Sequence, residues 1–273
     1  MPSGRTAARE RLDVVLVRRG LAASRTQAQA LVLAGQVRSG EQRLDKPGQR
    51  VAPELPLEVL EGPRWVSRGG AKLESALTRL SVAVAGRDAI DVGASTGGFT
   101  QVLLEAGAPR VVALDVGRGQ LDWKLRRDRR VQVLEGVNAR YLRPDVLPWK
   151  PSLAVVDVSF ISLRLVLPPL AVCLAEPGEI VALVKPQFEV GRGQVGRGGI
   201  VREVALHREV LETMARFVEA RGWGLAGLCA SVLRGAHGNQ EYFLHIVPSA
   251  PGLDSTALDR RIHETLVGAE EHG

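Results

Sequence analysis

Only two cysteines, Cys173 and Cys229, occur in 273 residues, each among apolar neighbours. That is too few for a disulfide-stapled fold, and it suits small core residues in a reducing cytoplasm. Long apolar runs are also missing. The longest, Leu165 to Ala175, is broken by Pro168 and Pro169, so no membrane span is expected. The N-terminal MPSGRTAARERLD has no apolar stretch of the kind that directs export. Aromatic residues make up just 4% of the chain. His207 and His237 lack metal-ligand spacing and partners, so no metal is expected. Repeats and low-complexity tracts are absent as well.

What remains is a globular composition, 45% apolar and 24% charged, in a chain long enough for one large domain or a medium and a small one. Its charge is unevenly placed. Residues 1–72 hold 13 Lys and Arg against 7 Asp and Glu, which accounts for the whole net charge of +6. A localised excess of this kind suits a polyanionic partner, although a basic face also simply solvates a protein.

The first quarter reads as two short helices and a small β unit. Leu12, Val15, Leu16 and Arg19 fall at helical spacing before Gly20, and Ser24 with Gln27 three residues on opens a second helix that Gly35 closes. Strands around QVRSG and RVAPELPLEVL complete the core. Through RLDVVLVRRGLAASRTQAQALVLAGQVRSG the stretch resembles the S-four-type RNA-binding module of ribosomal proteins and RNA-modifying enzymes. That resemblance implies an RNA-facing surface with Arg18, Arg19, Arg25 and Arg38, to which Arg68 is added further along. A solvated basic helix pair is the alternative. Arginines without interleaved aromatics suit phosphate and shape readout better than base stacking.

Beyond EGPRWVSRGG the pattern changes to alternating strands and helices. The Pro63 and Gly69-Gly70 signals read as a linker, with a helix from Lys72. DAIDVG, RVVALDV, RVQVLEG, LAVVDVS and EIVALVK read as buried strands, and helical stretches follow most of them. GLCASVL and EYFLHIV, joined by RGAHGNQ, read as a terminal antiparallel hairpin. The expected fold is α/β: a Rossmann-like, mostly parallel sheet finished by that hairpin, preceded by a small α+β domain. A Rossmann-like sheet finished by a hairpin resembles the methyltransferase plan, and the division this implies is an RNA-binding domain at 1–62, a linker at 63–70, a methyltransferase domain at 71–250 and a helix or tail at 251–273.

AIDVGASTGGFTQVLLEAG sets a glycine-rich turn between a strand and a helix, where open α/β sheets bind ligands. A dinucleotide loop requires a glycine where this chain has Ser95. Asp115, at the end of the next strand, suits a ribose hydroxyl in either case. The combination D-x-G-x-x-x-G-G resembles the first motif of S-adenosylmethionine-dependent methyltransferases. The resemblance implies that Asp91 receives the cofactor's ammonium and that the turn Gly93, Ala94, Ser95, Thr96, Gly97, Gly98 and Phe99 cradles its amino-acid end. Asp115 then takes the ribose, with Val116 and Asn138 near the adenine.

Four polar residues sit oddly for a plain core. Asp157 interrupts LAVVDVS, Lys185 ends EIVALVK, Glu241 opens EYFLHIV and Lys72 lies in RGGAKL. A buried carboxylate costs several kcal/mol unless paired, so two ordinary ion pairs would explain them. Converging on one cleft, they would instead suit deprotonation of an alcohol, which needs a depressed amine or a raised carboxyl. They match the Lys-Asp-Lys-Glu tetrad of the FtsJ-like ribose 2′-O-methyltransferases. Together with RWVSRGGAKL, DVGASTGGFTQVLL, DVSFISL, LVKPQFEVGRG and GNQEYFL, residues 10 to 248 resemble the TlyA family, some of whose members are labelled hemolysins. The resemblance implies methyl transfer from S-adenosylmethionine to the 2′-hydroxyl of cytidine in ribosomal RNA, on 16S, 23S or both. Lys185 would move the hydroxyl proton, Asp157 would orient it, and Lys72 and Glu241 would position the ribose. Phe160 suits a cofactor wall, the target base or the core. The five glycines from Gly191 to Gly199, with Arg192 and Arg197, suggest a loop that orders on RNA. The competing readings are a nonenzymatic RNA-binding assembly factor, a membrane-active hemolysin and a pseudouridine synthase. Ribosomal RNA or subunits are the expected partners and a monomer the expected state.

Overall fold

The computed structural model describes residues 8–60, 62, 64–191, 193–235 and 238–270. Pro63, Arg192 and His237 lie outside the described residues, as does the side chain of Arg197. The chain forms two compact units, residues 1–64 and 65–273.

In the first unit, β1 (Glu10–Arg11) leads directly into α1 (Leu12–Arg18), followed by α2 (Arg25–Leu33), β2 (Val37–Ser39), β3 (Gln42–Arg43), β4 (Arg50–Val51) and β5 (Glu58–Val59). Strands β3, β2 and β5 form one small sheet, while β1 pairs with β4. Leu12, Val15, Leu16, Ala28, Val32 and Val37 close a core of their own. The Ser24 hydroxyl accepts from the Gln27 N–H at 3.2 Å, and the Gln27 side chain accepts from the Ala23 N–H at 2.7 Å. This reciprocal cap starts α2, as the sequence predicts. The expected strand RVAPELPLEVL is two short strands, because Pro53 and Pro56 between them cannot donate to a ladder.

The second unit opens with α3 (Arg68–Arg79). The sequence reading places a linker through Gly69-Gly70, but both lie in the first turns of this helix. The pair is there for close packing, since a Cβ at Gly70 would sit 2.3 Å from the Trp65 ring. Then follow β6 (Ala89–Val92), α4 (Gly98–Glu105), β7 (Val111–Asp115), α5 (Trp123–Arg126), β8 (Val131–Glu135), β9 (Leu153–Val156) and α6 (Leu163–Val172). The chain continues through β10 (Glu179–Val184), α7 (Pro186–Glu189), α8 (Val204–Glu219), β11 (Gly224–Ala230), β12 (Tyr242–Val247) and α9 (Ser255–Glu270). The seven strands lie in the order β11-β12-β10-β9-β6-β7-β8, parallel except for β12. The order reverses beside β6, the switch point where open α/β sheets form a ligand crevice.

Strand periodicity fixes which side each polar residue faces. Val156, Val184 and Tyr242 enter the core on one face of the sheet, whereas Val155, Leu183 and Phe243 enter the core on the other, with Leu73 of α3 and Phe99 of α4. By the same alternation Asp157, Lys185 and Glu241 belong to the second face. Because β12 runs antiparallel with Tyr242 opposite Val184, its beginning lies at the edge where β9 and β10 end.

Candidate active site

At that edge the four tetrad candidates form two ion pairs. Lys72 Nζ donates to Glu241 Oε2 at 2.6 Å, with 10% and 2% of the two side chains exposed. Lys185 Nζ lies 2.6 Å from Asp157 Oδ1, with 11% and 24% exposed. This second contact is one of charge rather than an aligned hydrogen bond, since Asp157 Oδ1 has no hydrogen-bond partner. Lys185 makes its aligned bond to the Ser159 hydroxyl at 2.9 Å. Burial above all pushes the Glu241 carboxyl above its usual range, the ammonium groups of Lys72 and Lys185 pull it down, and Asp157 pushes it up. All four groups therefore share one electrostatic field.

Two pockets meet beside them. The larger, about 520 Å³, is lined by Gly93, Ser95, Asp115, Val116, Asn138 and Asp157 among others. The smaller, about 230 Å³, is lined by residues that include Ser67, Arg68, Lys72, Thr96, Gly98 and Phe99. Gly93, Ser95 and Asp157 belong to both, so the lobes join beside Asp157. Gly93 is required at the junction: its φ is +89°, and a Cβ there would lie 2.4 Å from the Asp157 carbonyl oxygen. Ser95 and Phe160 hold φ of 48° and 62° without being glycine. Such strain concentrates at functional sites.

The glycine turn is built by Gly97 in left-handed conformation at the start of α4. Ala94 is 7% and Phe99 3% exposed, and the Phe99 ring packs on Phe243, so these two contribute backbone rather than side chain. Asp115 accepts from the Ser95 N–H at 2.8 Å and the Gly117 N–H at 2.7 Å. Each of its oxygens keeps acceptor capacity for a diol. Asn138 is oriented by accepting from the Arg140 N–H at 3.0 Å, and Val116 stands exposed at the pocket mouth. Asp91 is fully buried. One of its oxygens accepts from the Thr100 hydroxyl at 2.7 Å and the other has no partner, and burial above all pushes its pKa up to about 7.

Arg68, grouped with the RNA-facing arginines in the sequence reading, lines the smaller lobe, because α3 begins one turn earlier than expected. In the N-terminal unit Arg18 pairs with Glu10, Arg19 donates to the Leu55 and Pro53 carbonyls, and Arg25 binds the buried Asp13 at 3.0 Å. Arg11 above all holds the Asp13 carboxyl well below the usual range. Arg38 lies opposite Arg43 across β2 and β3.

Three polar residues near the site escaped the sequence reading. Ser159 reaches Lys185. Glu189, on α7, accepts from the Leu163 N–H at 2.7 Å and the Ser162 hydroxyl at 2.6 Å. Asn239, 1% exposed, accepts from the Val201 N–H at 3.0 Å and donates to the Gly199 carbonyl at 2.8 Å, tying down the end of the glycine-rich stretch. Their motifs, DVSF, KPQFE and GNQE, were visible, but their partners lie far away in sequence. Among the described residues no group of His, Cys, Asp and Glu could hold a metal ion, and His207 bonds the Val201 carbonyl and Tyr242 hydroxyl. No helix among them is long and apolar enough to cross a membrane.

A parallel sheet with this strand order, one reversed strand and a divided crevice at its switch point defines the methyltransferase class of α/β proteins. Within that class, residues 65–247 match the FtsJ-like methyltransferase model, and residues 10–55 match the S4 domain. The chain belongs to the FtsJ-like methyltransferase family and carries an S4 domain at its N-terminus. It is 48% identical to the 16S/23S rRNA (cytidine-2′-O)-methyltransferase TlyA of Mycobacterium tuberculosis, over 95% of this chain and 98% of that protein. Hemolysin A of Brachyspira hyodysenteriae is 37% identical over 87% of this chain and 99% of its own length. A solved structure from Streptococcus thermophilus, described as a hemolysin, superposes with a TM-score of 0.73 at 45% identity, covering 97% of both chains.

Proposed function

We propose that the protein transfers a methyl group from S-adenosylmethionine to the ribose 2′-hydroxyl of cytidine in ribosomal RNA. The observation that carries this reading is the convergence of Lys72, Asp157, Lys185 and Glu241 in one electrostatic field, with Asp157 lining both pocket lobes and Lys72 the smaller. The 48% identity to a cytidine 2′-O-methyltransferase over nearly the whole chain supports the substrate class.

The pocket suits the cofactor on its own evidence. Its two lobes match a nucleoside and an amino acid joined through sulfur, and the partly exposed Asp157 carboxylate at the junction complements a positive charge. In this reading Asp115 holds the ribose hydroxyls, with Val116 and Asn138 beside the base. The N–H groups of Gly98 and Phe99 at the start of α4, joined by Arg68, face the carboxylate, while that of Gly97 donates to the Ala94 carbonyl at 2.7 Å and shapes the turn. Asp91 stands behind the turn, where its unpartnered oxygen suits the ammonium. The cofactor, when bound, supplies a methyl group on a cationic sulfur.

Lys185 Nζ, after giving one proton to solvent, takes the 2′-hydroxyl proton, and the Asp157 carboxylate holds the ammonium that forms. The closed Lys72–Glu241 pair shapes the wall that holds the ribose. Because transfer requires in-line approach, positioning provides much of the acceleration. Phe160, 91% exposed at the pocket rim and packed at 5.1 Å on Phe188, offers a surface for the target base. The S4 unit recruits RNA through arginines at positions 18, 19, 25 and 38. Three of these also hold the unit together, so Arg38 contributes the more specifically RNA-directed charge. A cytoplasmic site of action accompanies ribosomal substrates.

The test is to incubate the purified chain and labelled S-adenosylmethionine with naked rRNA, separated subunits and whole ribosomes, then map the modified nucleotide. A 2′-O-methylcytidine supports the reading. A label on a base, or none in any RNA while cofactor binds, overturns it.

A further inference from the structure

We propose that Ser159 is a positioning residue for methyl transfer, fixing the direction in which Lys185 presents its amine. This rests on the reading of Lys185 as the group that takes the hydroxyl proton. The geometry is specific: Lys185 has a charged neighbour in Asp157 at 2.6 Å, but its aligned hydrogen bond runs to the Ser159 hydroxyl at 2.9 Å. A charge contact is tolerant of angle, whereas a hydrogen bond weakens steeply away from linearity. Asp157 thus supplies field, and Ser159 supplies direction. With one N–H committed to Ser159, rotation about the terminal bond of the lysine is restricted, so that once the ammonium has given a proton to solvent its lone pair points along a defined path. Lysine otherwise carries an ammonium on a flexible four-carbon stem.

A second contact supports the same alignment. Ser159 follows β9 in the loop that leads to α6, and Lys185 follows β10 at the entrance to α7. Glu189, the last residue of α7 and 9% exposed, grips the far end of the first loop through the Leu163 N–H and the Ser162 hydroxyl, with Arg164 at 3.6 Å. The two loops are therefore tied at both ends, Ser159 to Lys185 at one and Ser162–Leu163 to Glu189 at the other. Burial above all pushes the Glu189 carboxyl upward, against the pull of its donors. Such a buried acceptor is held in place for its hydrogen bonds. Ser159 is exposed and lines the larger pocket lobe, so nothing in packing demands a hydroxyl at that position.

The experiment compares the full-length wild type with Ser159→Ala and Ser159→Thr, using labelled S-adenosylmethionine and whichever rRNA substrate the wild type modifies. It records kcat, KM for RNA, cofactor affinity and thermal unfolding. Ser159→Ala is expected to lower kcat about 10- to 100-fold, the scale of a small misplacement of a reacting group, with KM, cofactor affinity and unfolding unchanged. Ser159→Thr, which keeps the hydroxyl, restores most of the rate. Wild-type kcat in Ser159→Ala, equal loss in Ser159→Thr, or a loss that follows cofactor affinity overturns this assignment while leaving the methyltransferase reading standing. No transfer by cofactor-bound wild type to any RNA defeats the methyltransferase reading itself, and the assignment with it.

Discussion

The two lysine–carboxylate pairs at the sheet edge have the same chemistry and the same 2.6 Å separation, yet they are built differently. Lys72 and Glu241 are closed off, 10% and 2% exposed, and joined by an aligned hydrogen bond. Lys185 and Asp157 are partly open, with the carboxylate 24% exposed, its Oδ1 held to the ammonium by charge rather than by an aligned hydrogen bond, and the amine turned to a serine. A closed pair is satisfied and resists change. An open pair has capacity left for a third party, so we assign proton movement to Lys185 and support to Lys72.

This difference can be broken experimentally. The largest effect is expected from Lys185→Ala, which should lower methyl transfer by about 10²- to 10⁴-fold, the range of a positioned acid–base group. Cofactor affinity and unfolding temperature should stay close to wild type. Lys72→Ala should act the other way round, because it strands a buried carboxylate. Breaking such a pair from one side costs about 3–5 kcal/mol, read as a clear fall in the unfolding midpoint by denaturant titration. If the two variants show the same profile, the asymmetry is false.

Asn239→Ala should be milder. It releases the buried Val201 N–H and the exposed Gly199 carbonyl from their partner, and the one buried group left unsatisfied costs about 1–3 kcal/mol. Faster proteolysis between residues 191 and 201, with cofactor affinity preserved, is the expected result. A further effect is a dependence on pH. Asp91, with a folded pKa pushed up to about 7 from an ordinary value near 3.8, holds a proton that the unfolded chain has already released. Stability in the absence of cofactor should therefore fall as pH rises from about 4 to about 7. Asp91→Asn should flatten that slope in denaturation curves. If an ammonium binds beside Asp91, cofactor binding near pH 6.5 should also release protons, measurable by calorimetry in buffers of different ionisation enthalpy.

Much of this arrangement was legible in the sequence, for physical reasons. A lysine after five apolar residues and an aspartate inside LAVVDVS are costly in any core, so their presence signalled a site. The structure then puts both on one face of the sheet. The ends of β9 and β10 were likewise visible because buried parallel strands are continuous apolar runs. Hydrogen bonds to loop residues were not legible. Ser159, Glu189 and Asn239 are ordinary polar residues until the fold brings Lys185, Leu163 and Val201 to them. The start of α3 was misplaced for a related reason: Gly69-Gly70 is a breaker by local preference, and only contact with Trp65 explains it inside a helix. Local preference likewise marked the arginines of the first unit by charge alone, without showing that Asp13 and two backbone carbonyls engage Arg25 and Arg19.

The most direct test of the account is an experimental structure with S-adenosylhomocysteine, the demethylated form of the cofactor, bound to the full chain. The account predicts adenosine in the lobe of Asp115 and Asn138, the amino acid in the lobe of Arg68 and Gly98, and the sulfur at Gly93 beside Asp157, facing Lys185. A ligand lodged within one lobe, with its sulfur turned away from Asp157 and Lys185, would contradict it.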